Sequence, residues 1–161
     1  MIDFKPLTTE HVPFLVRWFN NPNANEFLGG HGKLTIKKQV EKIERQDKNF
    51  KSFVICQDKK PIGMISLNKI DRQNHNADLF IVIGEDECRG KGIGKQALKF
   101  ITDFGFTQLG LHKIYLRVHV ENTTAIKCYE SFGFTREGIL KDQYFKSGKY
   151  YDELAMAVIG K

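Results

Sequence analysis

The chain has 161 residues, 41% hydrophobic and 27% charged. That is enough for one domain with a single core and too balanced for a disordered chain. No apolar run approaches the roughly 18 residues of a membrane-spanning helix, and the opening MIDFKPLTTEH lacks the basic-then-apolar layout of a signal peptide. The formal charge of +6 admits nucleic acid, an acidic surface or a polyanionic small molecule as partner. The basic residues are spread out, however. Their densest stretch, 33–60, also carries Glu41, Glu44, Asp47 and Asp58, which is the composition of a solvated helix face. Neither a nucleic-acid nor a membrane partner is expected. Cys56, Cys88 and Cys128 are odd in number and lack metal-ligand or CxxC spacing. They read as free thiols of a cytoplasmic protein without a metal.

The elements are short and alternate in type. IDFKPL is a first strand. In EHVPFLVRWFN, residues 10–20, Val12, Leu15, Val16 and Phe19 fall at helical spacing, with Pro13 in the first turn where it is tolerated. NNPNANEFLGGHG is a loop by composition. Residues 35–49 carry Ile36, Val40 and Ile43 on one side of a basic amphipathic helix. The period then changes. KSFVICQD and PIGMISLNKI are two strands around a turn at DKKP, and ADLFIVIG is apolar enough for a central strand. Ile93, Ala97, Ile101 and Phe104 mark the next helix. HKIYLRVHV alternates, with Ile114, Leu116, Val118 and Val120 on one face and Tyr115, Arg117 and His119 on the other. A short helix follows with Ala125, Cys128, Tyr129 and Phe132 on one side, stopped by Gly133. GILKDQYF-KSGK-YYDELAMAVI closes the chain as two strands around a turn. There is no repeat, low-complexity tract or linker, so residues 1–161 form one mixed α/β domain in the order βααβββαβαββ.

Between the central strand and its helix lies CRGKGIGKQA, residues 88–97, with Gly90, Gly92 and Gly94 close together. A P-loop does not fit: Gly84 to Gly90 is one residue too wide, and Lys91 is followed by Gly92 where a hydroxyl would bind magnesium. A dinucleotide fingerprint does not fit either, because its third glycine would be Lys95. The pattern [Q/R]-x-x-G-x-[G/A] is matched at every position by Arg89, Gly90, Lys91, Gly92, Ile93 and Gly94. A helix N-terminus leaves N–H groups unpaired, its dipole favours an anion, and glycines let the backbone come close to a pyrophosphate. A flexible strand-to-helix turn would use the same residues.

With RGKGIG followed by HKIYLRVHVENTTAIKCYESFGF, the chain resembles the GNAT superfamily of acetyl-CoA-dependent N-acetyltransferases. Within it, the second stretch looks most like the branch of ribosomal-protein N-terminal and spermidine acetyltransferases. The resemblance implies a central, mostly antiparallel twisted sheet flanked by about four helices. It also implies transfer of acetyl from acetyl-CoA to a primary amine, by direct attack through a tetrahedral intermediate and with no metal. The acceptor is a protein N-terminus, an amino sugar or a small-molecule amine, and the protein is a monomer or homodimer.

The resemblance also assigns residues. Arg89, Gly90, Lys91, Gly92, Ile93 and Gly94 would hold the pyrophosphate of coenzyme A, and Ile81, Val82 and Ile83 its pantetheine arm. Asn122 would anchor that arm, although an Asn before a helix is equally an N-cap. Tyr129 matches the tyrosine that protonates the leaving thiolate, on a helix face that would otherwise pack it into the core. An alkylamine of pKa ~10.4 must lose a proton. Asp78 is the first candidate base, His119 the second and a water relay the third. Glu26, Phe27 and His31 are expected to wall the acceptor pocket, with Tyr144 and Asp152 as a second wall. The chain departs from the pattern in a longer loop before Arg89 and in Cys88, where an aromatic residue is common. It also shows no acidic cluster of the kind a polyamine would need. A non-catalytic coenzyme A-binding module of the same fold is the alternative reading.

Overall fold

A computed structural model describes residues 1–24, 26–28, 34–45 and 47–161. Its elements run β1 (Ile2–Pro6), α1 (Val12–Asn20), α2 (Ile36–Glu44), β2 (Lys51–Gln57), β3 (Lys60–Asp71), β4 (Asn76–Ile83), α3 (Ile93–Gln108), β5 (Lys113–His119), α4 (Thr123–Phe132), β6 (Thr135–Lys146) and β7 (Lys149–Ile159). This is the order the periodicities predict. The seven strands form one sheet, ordered β1-β2-β3-β4-β5-β7-β6. Every neighbouring pair is antiparallel except β4 with β5, the pair that α3 connects. The mixed α/β architecture with a mostly antiparallel sheet is as expected. No described helix is long and apolar enough to cross a membrane.

Two helices end differently from the sequence pattern. Residues 9–11 form a 3-10 turn before α1, in which Thr8 N–H donates to His11 Nδ1 at 3.1 Å. The second helix stops at Glu44, short of residue 49. Beyond it, Asp47 Oδ1 accepts from Asn49 N–H at 2.8 Å and the Asp47 carbonyl accepts from Phe50 N–H, so a side-chain turn replaces the helix. The final hairpin turns through Ser147 and Gly148, both at positive φ (51° and 80°), the conformation that suits a two-residue turn between twisted strands.

The sheet's two faces are covered unequally. On one, α3 lays Ala97, Leu98 and Ile101 across Ile55, Ile65, Leu67, Ile114 and Leu116. On the other, α1 brings Leu15 and Trp18 onto Val54, Cys56, Met64 and Val82. Trp18 is buried more deeply than Val16 or Phe19. The reason is Gly84: a Cβ there would lie 2.1 Å from Trp18 Cγ, so only a glycine admits the indole. Among its described residues α2 has none buried.

Candidate active site

The glycine stretch forms the passage from β4 into α3. Arg89 braces it. Its Nε donates to the Ile83 carbonyl at 3.1 Å, and its Nη1 lies 3.1 Å from Asp86 Oδ1. Much of the guanidinium expected to meet a phosphate is therefore used to hold the loop. Cys88 is buried in the main core, which explains an apolar thiol just before the motif. Gly90 and Gly92 sit at φ 72° and 76°, and nothing lies within 4 Å of where a Cβ would be. The need for glycine there is conformational, and the space above is open. Gly94 differs: its φ is not positive, and a Cβ there would meet Cys128 Sγ of α4 at 3.5 Å, an ordinary contact. Gly92 is the N-cap of α3 and supplies no side-chain cap, so the first N–H groups of the helix have no side-chain acceptor from it. Ile93 buries its side chain in the core, which leaves its N–H as its contribution, and Lys91 is exposed. Open space, two left-handed glycines and an uncapped 16-residue helix fit a pyrophosphate.

Beside this loop the sheet opens. β4 and β5 pair only through Asn76↔Lys113, Ala77↔Ile114 and Asp78↔Tyr115. Ile81, Val82 and Ile83 continue to pair with Ile65, Met64 and Gly63 of β3, but the β5 side of that stretch has no partner strand. Continuing the register of Asp78↔Tyr115 by four residues puts Val82 level with His119. The splayed edge thus lies between the glycine loop and the end of β5, where an extended ligand arm can take up backbone hydrogen bonds.

The turn after β5 carries two expected residues. Asn122 caps α4, its Oδ1 accepting from Ala125 N–H at 3.2 Å, so the N-cap role is realised and the side-chain NH2 remains as donor. Tyr129 lies on the core side of α4, 5.7 Å from the Phe134 ring. Burial raises its phenol well above the ordinary tyrosine range, and neighbouring Cys128 adds to the rise. A phenol so placed stays protonated at neutral pH.

Asp78 lies on the opposite face of the sheet, at the closed end of the splay. Burial raises its carboxyl above the ordinary aspartate range, while Lys69, with Nζ 4.0 Å away, and Arg117 pull it down. It opens into a cleft shared with Lys42, Phe50, Asn68 and Lys69. Asn68 pairs with it across the strands, and Ser52 pairs with Ser66 alongside. Asn68 Oδ1, Ser52 Oγ and Ser66 Oγ are buried with no hydrogen-bond partner among the described residues. This strip of orphaned polar atoms is suited to bound water.

His119, the second candidate base, is 6% exposed, because the loop 26–28 and the last hairpin close over it. Glu121 N–H donates to its Nδ1 at 3.2 Å. A backbone N–H can only donate, so Nδ1 presents its lone pair and the neutral ring carries its proton on Nε2. No lone pair is then left on the ring to take an amine's proton. Its ring centroid is 5.3 Å from Phe27, 4.7 Å from Tyr151 and 6.3 Å from Tyr144.

The two expected acceptor walls form one enclosure. Tyr144 donates its hydroxyl to the Leu28 carbonyl at 3.2 Å, and Lys146 Nζ donates to the Glu26 carbonyl at 2.9 Å. The loop is thereby fastened to the hairpin, with Glu26 itself exposed. His31 lies outside the described residues. Asp152 does not join the wall. It accepts from Lys141 Nζ at 2.7 Å and Asp142 N–H at 3.0 Å, and these contacts staple the irregular part of the hairpin. Successive strand residues alternate faces, so Tyr151 and Glu153 occupy the side expected of Asp152. Tyr151 and Glu153 join this face without a sequence signal to mark them, and Arg117, which the strand alternation put beside His119, lies 3.7 Å from Glu153. Glu85 also had none: it accepts from Trp18 Nε1 at 2.9 Å and pairs with Arg17, tying α1 to the loop after β4. Among the described residues no group of three or more His, Cys, Asp or Glu is placed to hold a metal ion.

Known proteins share this fold. Spermidine N(1)-acetyltransferase of Escherichia coli K12 is 36% identical over 112 residues, covering 70% of this chain and 60% of that protein. The Vibrio cholerae counterpart is 39% identical over 98 residues, covering 61% and 56%. The chain thus spans about three fifths of the length of these curated relatives in the matched stretches. The crystal structure of spermidine N-acetyltransferase from V. cholerae in complex with CoA and spermine superposes with a TM-score of 0.90 at 29% identity, covering 98% of this chain and 95% of that one. A dodecameric structure of the same enzyme in an intermediate state gives 0.84 at 28% identity, with coverages of 98% and 93%. The family model for the acetyltransferase (GNAT) domain matches residues 2–135. Matched over residues 2–135, the chain belongs to the GNAT acetyltransferase family.

Proposed function

We propose that the protein is an N-acetyltransferase that moves acetyl from its cosubstrate acetyl-CoA to a primary amine. The observation that carries this is the loss of β4–β5 pairing beyond Asp78↔Tyr115, next to the uncapped, glycine-led start of α3. The N–H groups of residues 90–94 and the side chain of Lys91 take the pyrophosphate. The free edge of Ile81–Ile83 and the amide of Asn122 take the pantetheine arm. The amine attacks the thioester carbonyl from the face of Phe27, His119 and Tyr144. Tyr129, held protonated by burial, gives its proton to the departing thiolate.

Asp78 is the base, acting through water. It precedes Ile81 by three residues, or about 10 Å of strand, too far to touch an amine at the splay. The orphaned Asn68 oxygen, paired across the strands with Asp78, supplies a place for one bound water beside the carboxyl. A cytoplasmic setting is supported by the three free cysteines. For its assembly we keep monomer or homodimer, which light scattering checks against the dodecamer of the V. cholerae enzyme.

The test is thiol release from acetyl-CoA across N-terminal peptides, polyamines and amino sugars, run beside thermal melts with acetyl-CoA. Turnover with one acceptor class well above background is expected, with a rise in Tm at millimolar acetyl-CoA. A rise in Tm without turnover on any amine would overturn transfer and favour the non-catalytic coenzyme A-binding module.

A further inference from the structure

Accepting the transfer reading, we infer that the acceptor is an amine bearing a hydrogen-bond-accepting oxygen on the carbon next to the one that holds the nitrogen, and is not a polyamine. Two independent features of the acceptor face lead there.

The first is the state of His119. It stands level with Val82, where the splay is open, buried among Phe27, Tyr144 and Tyr151. With Nδ1 committed to Glu121 N–H, the ring offers the site an Nε2–H donor. A donor is of no use to a protonated amine, and it competes for the lone pair of a free one. It is of use to an oxygen beside the amine: a vicinal hydroxyl or an adjacent carbonyl. His119 also donates nothing to the turn but accepts from it twice, at Nδ1 from Glu121 and at its carbonyl from Asn122 N–H (2.9 Å). The imidazole is thus fixed by the same turn that presents Asn122.

The second is charge. A polyamine brings further ammonium groups, and each needs a carboxylate or an open aromatic face. The two carboxylates that β4 and β7 place on this face already have cations of the chain: Asp78 has Lys69 at 4.0 Å, and Glu153 has Arg117 at 3.7 Å, while the further carboxylate of the expected wall, Glu26, is exposed on the loop. The Tyr151 ring already has Lys149 Nζ 5.0 Å from its centroid. Additional ammonium groups would meet Lys69, Arg117 and Lys149 here, whereas an acceptor with one amine and neutral oxygens brings no such groups. The aromatic rings suit the apolar face of a sugar ring or a peptide side chain.

The experiment is a competition between matched amines on the full chain with acetyl-CoA, with kcat/KM expressed per unprotonated amine. Trans-2-aminocyclohexanol and cyclohexylamine differ only by the vicinal hydroxyl. The wild type is expected to prefer the hydroxylated one by about tenfold or more, the scale of one well-made hydrogen bond. His119→Phe keeps a flat ring but no donor, and should bring the two amines within about threefold. His119→Gln restores a donor near Nε2 and should recover much of the preference. A purely structural role for His119 would lower both rates together and leave their ratio alone.

Glucosamine and an Ala-Ala amide separate the two sources of such an oxygen, and spermidine is the contrasting polyamine. Either of the first two should exceed spermidine by at least about tenfold. Spermidine as the best acceptor, with no preference within the matched pair, would overturn the inference and leave acetyl transfer standing. No transfer to any of these amines overturns the transfer reading and the inference with it. The ratio in the wild type decides the matter even if a His119 variant does not fold.

Discussion

On the α3 side of the sheet, Ile55, Ile65, Leu67, Ile114 and Leu116 are at most 1% exposed and meet an apolar helix face. On the other side β3, β4 and β5 carry Ser66, Asn68, Asp78, Tyr115, Arg117 and His119, and the part under α1 is apolar. One backbone serves both faces, because successive residues of a strand point to opposite sides. The apolar face supplies burial. The other leaves polar atoms orphaned, raises a carboxyl by desolvation and keeps a histidine ring among aromatics. Those are features a fold would shed if stability were its sole demand. The proposed reaction needs both faces, since it takes its proton donor, Tyr129, from the apolar side and its amine from the polar one.

That contrast can be broken by substitution. The largest expected effect is on the apolar face: Leu116→Ala should cost about 2–5 kcal/mol of stability, read from urea melts, because it empties a fully packed site. A cost as small as that of a surface substitution would mean that the α3 face is not the core. Next is Tyr129→Phe, which removes a proton donor and little packing. Its kcat should fall about a hundredfold or more while the stabilisation by acetyl-CoA stays within about twofold in affinity. Unchanged kcat would return Tyr129 to the core alone.

Asp78→Asn should act oppositely on activity and stability. The wild-type carboxyl titrates above its unfolded value, so the native protein binds the proton more tightly. Stability therefore falls as pH rises through the window between the unfolded and folded values. Asp78→Asn should then melt higher than wild type at pH 7, with the gap closing as pH drops below the ordinary aspartate range. In kinetics it should abolish the acidic limb of kcat/KM, because a base works only when ionised. An acidic limb that survives would place the base elsewhere. The smallest expected effects separate two glycines of one motif. Gly92→Ala, at φ 76°, should cost about 1 kcal/mol and raise the KM for acetyl-CoA several-fold. Gly94→Ala meets only the Cys128 sulfur at an ordinary 3.5 Å, so its effect should be the weaker of the two. Equal effects would mean that backbone conformation is not what Gly92 provides.

Element order, strand alternation in 113–119 and the glycine-led start of α3 were legible in the sequence. Each depends on neighbours within a few residues, where period, glycine conformation and capping act. The stop of α2 at Glu44 was not legible, because the Asp47 turn competes with a helical period that the apolar residues alone suggest. Nor was it legible that Arg89 braces Ile83 and Asp86 or that Glu85 fastens Trp18, whereas the N-cap role of Asn122 was. The acceptor enclosure joins residues 27, 119, 144 and 151, which meet only after the sheet is assembled in the order β5-β7-β6. By itself the sequence determined which segments are strand or helix and that a glycine-led helix would start after the central strand, since those are local properties of period, glycine and helix end. The tertiary structure alone decided which side chains share the polar face and which lone pair of His119 is already taken, because both depend on contacts between segments far apart along the chain.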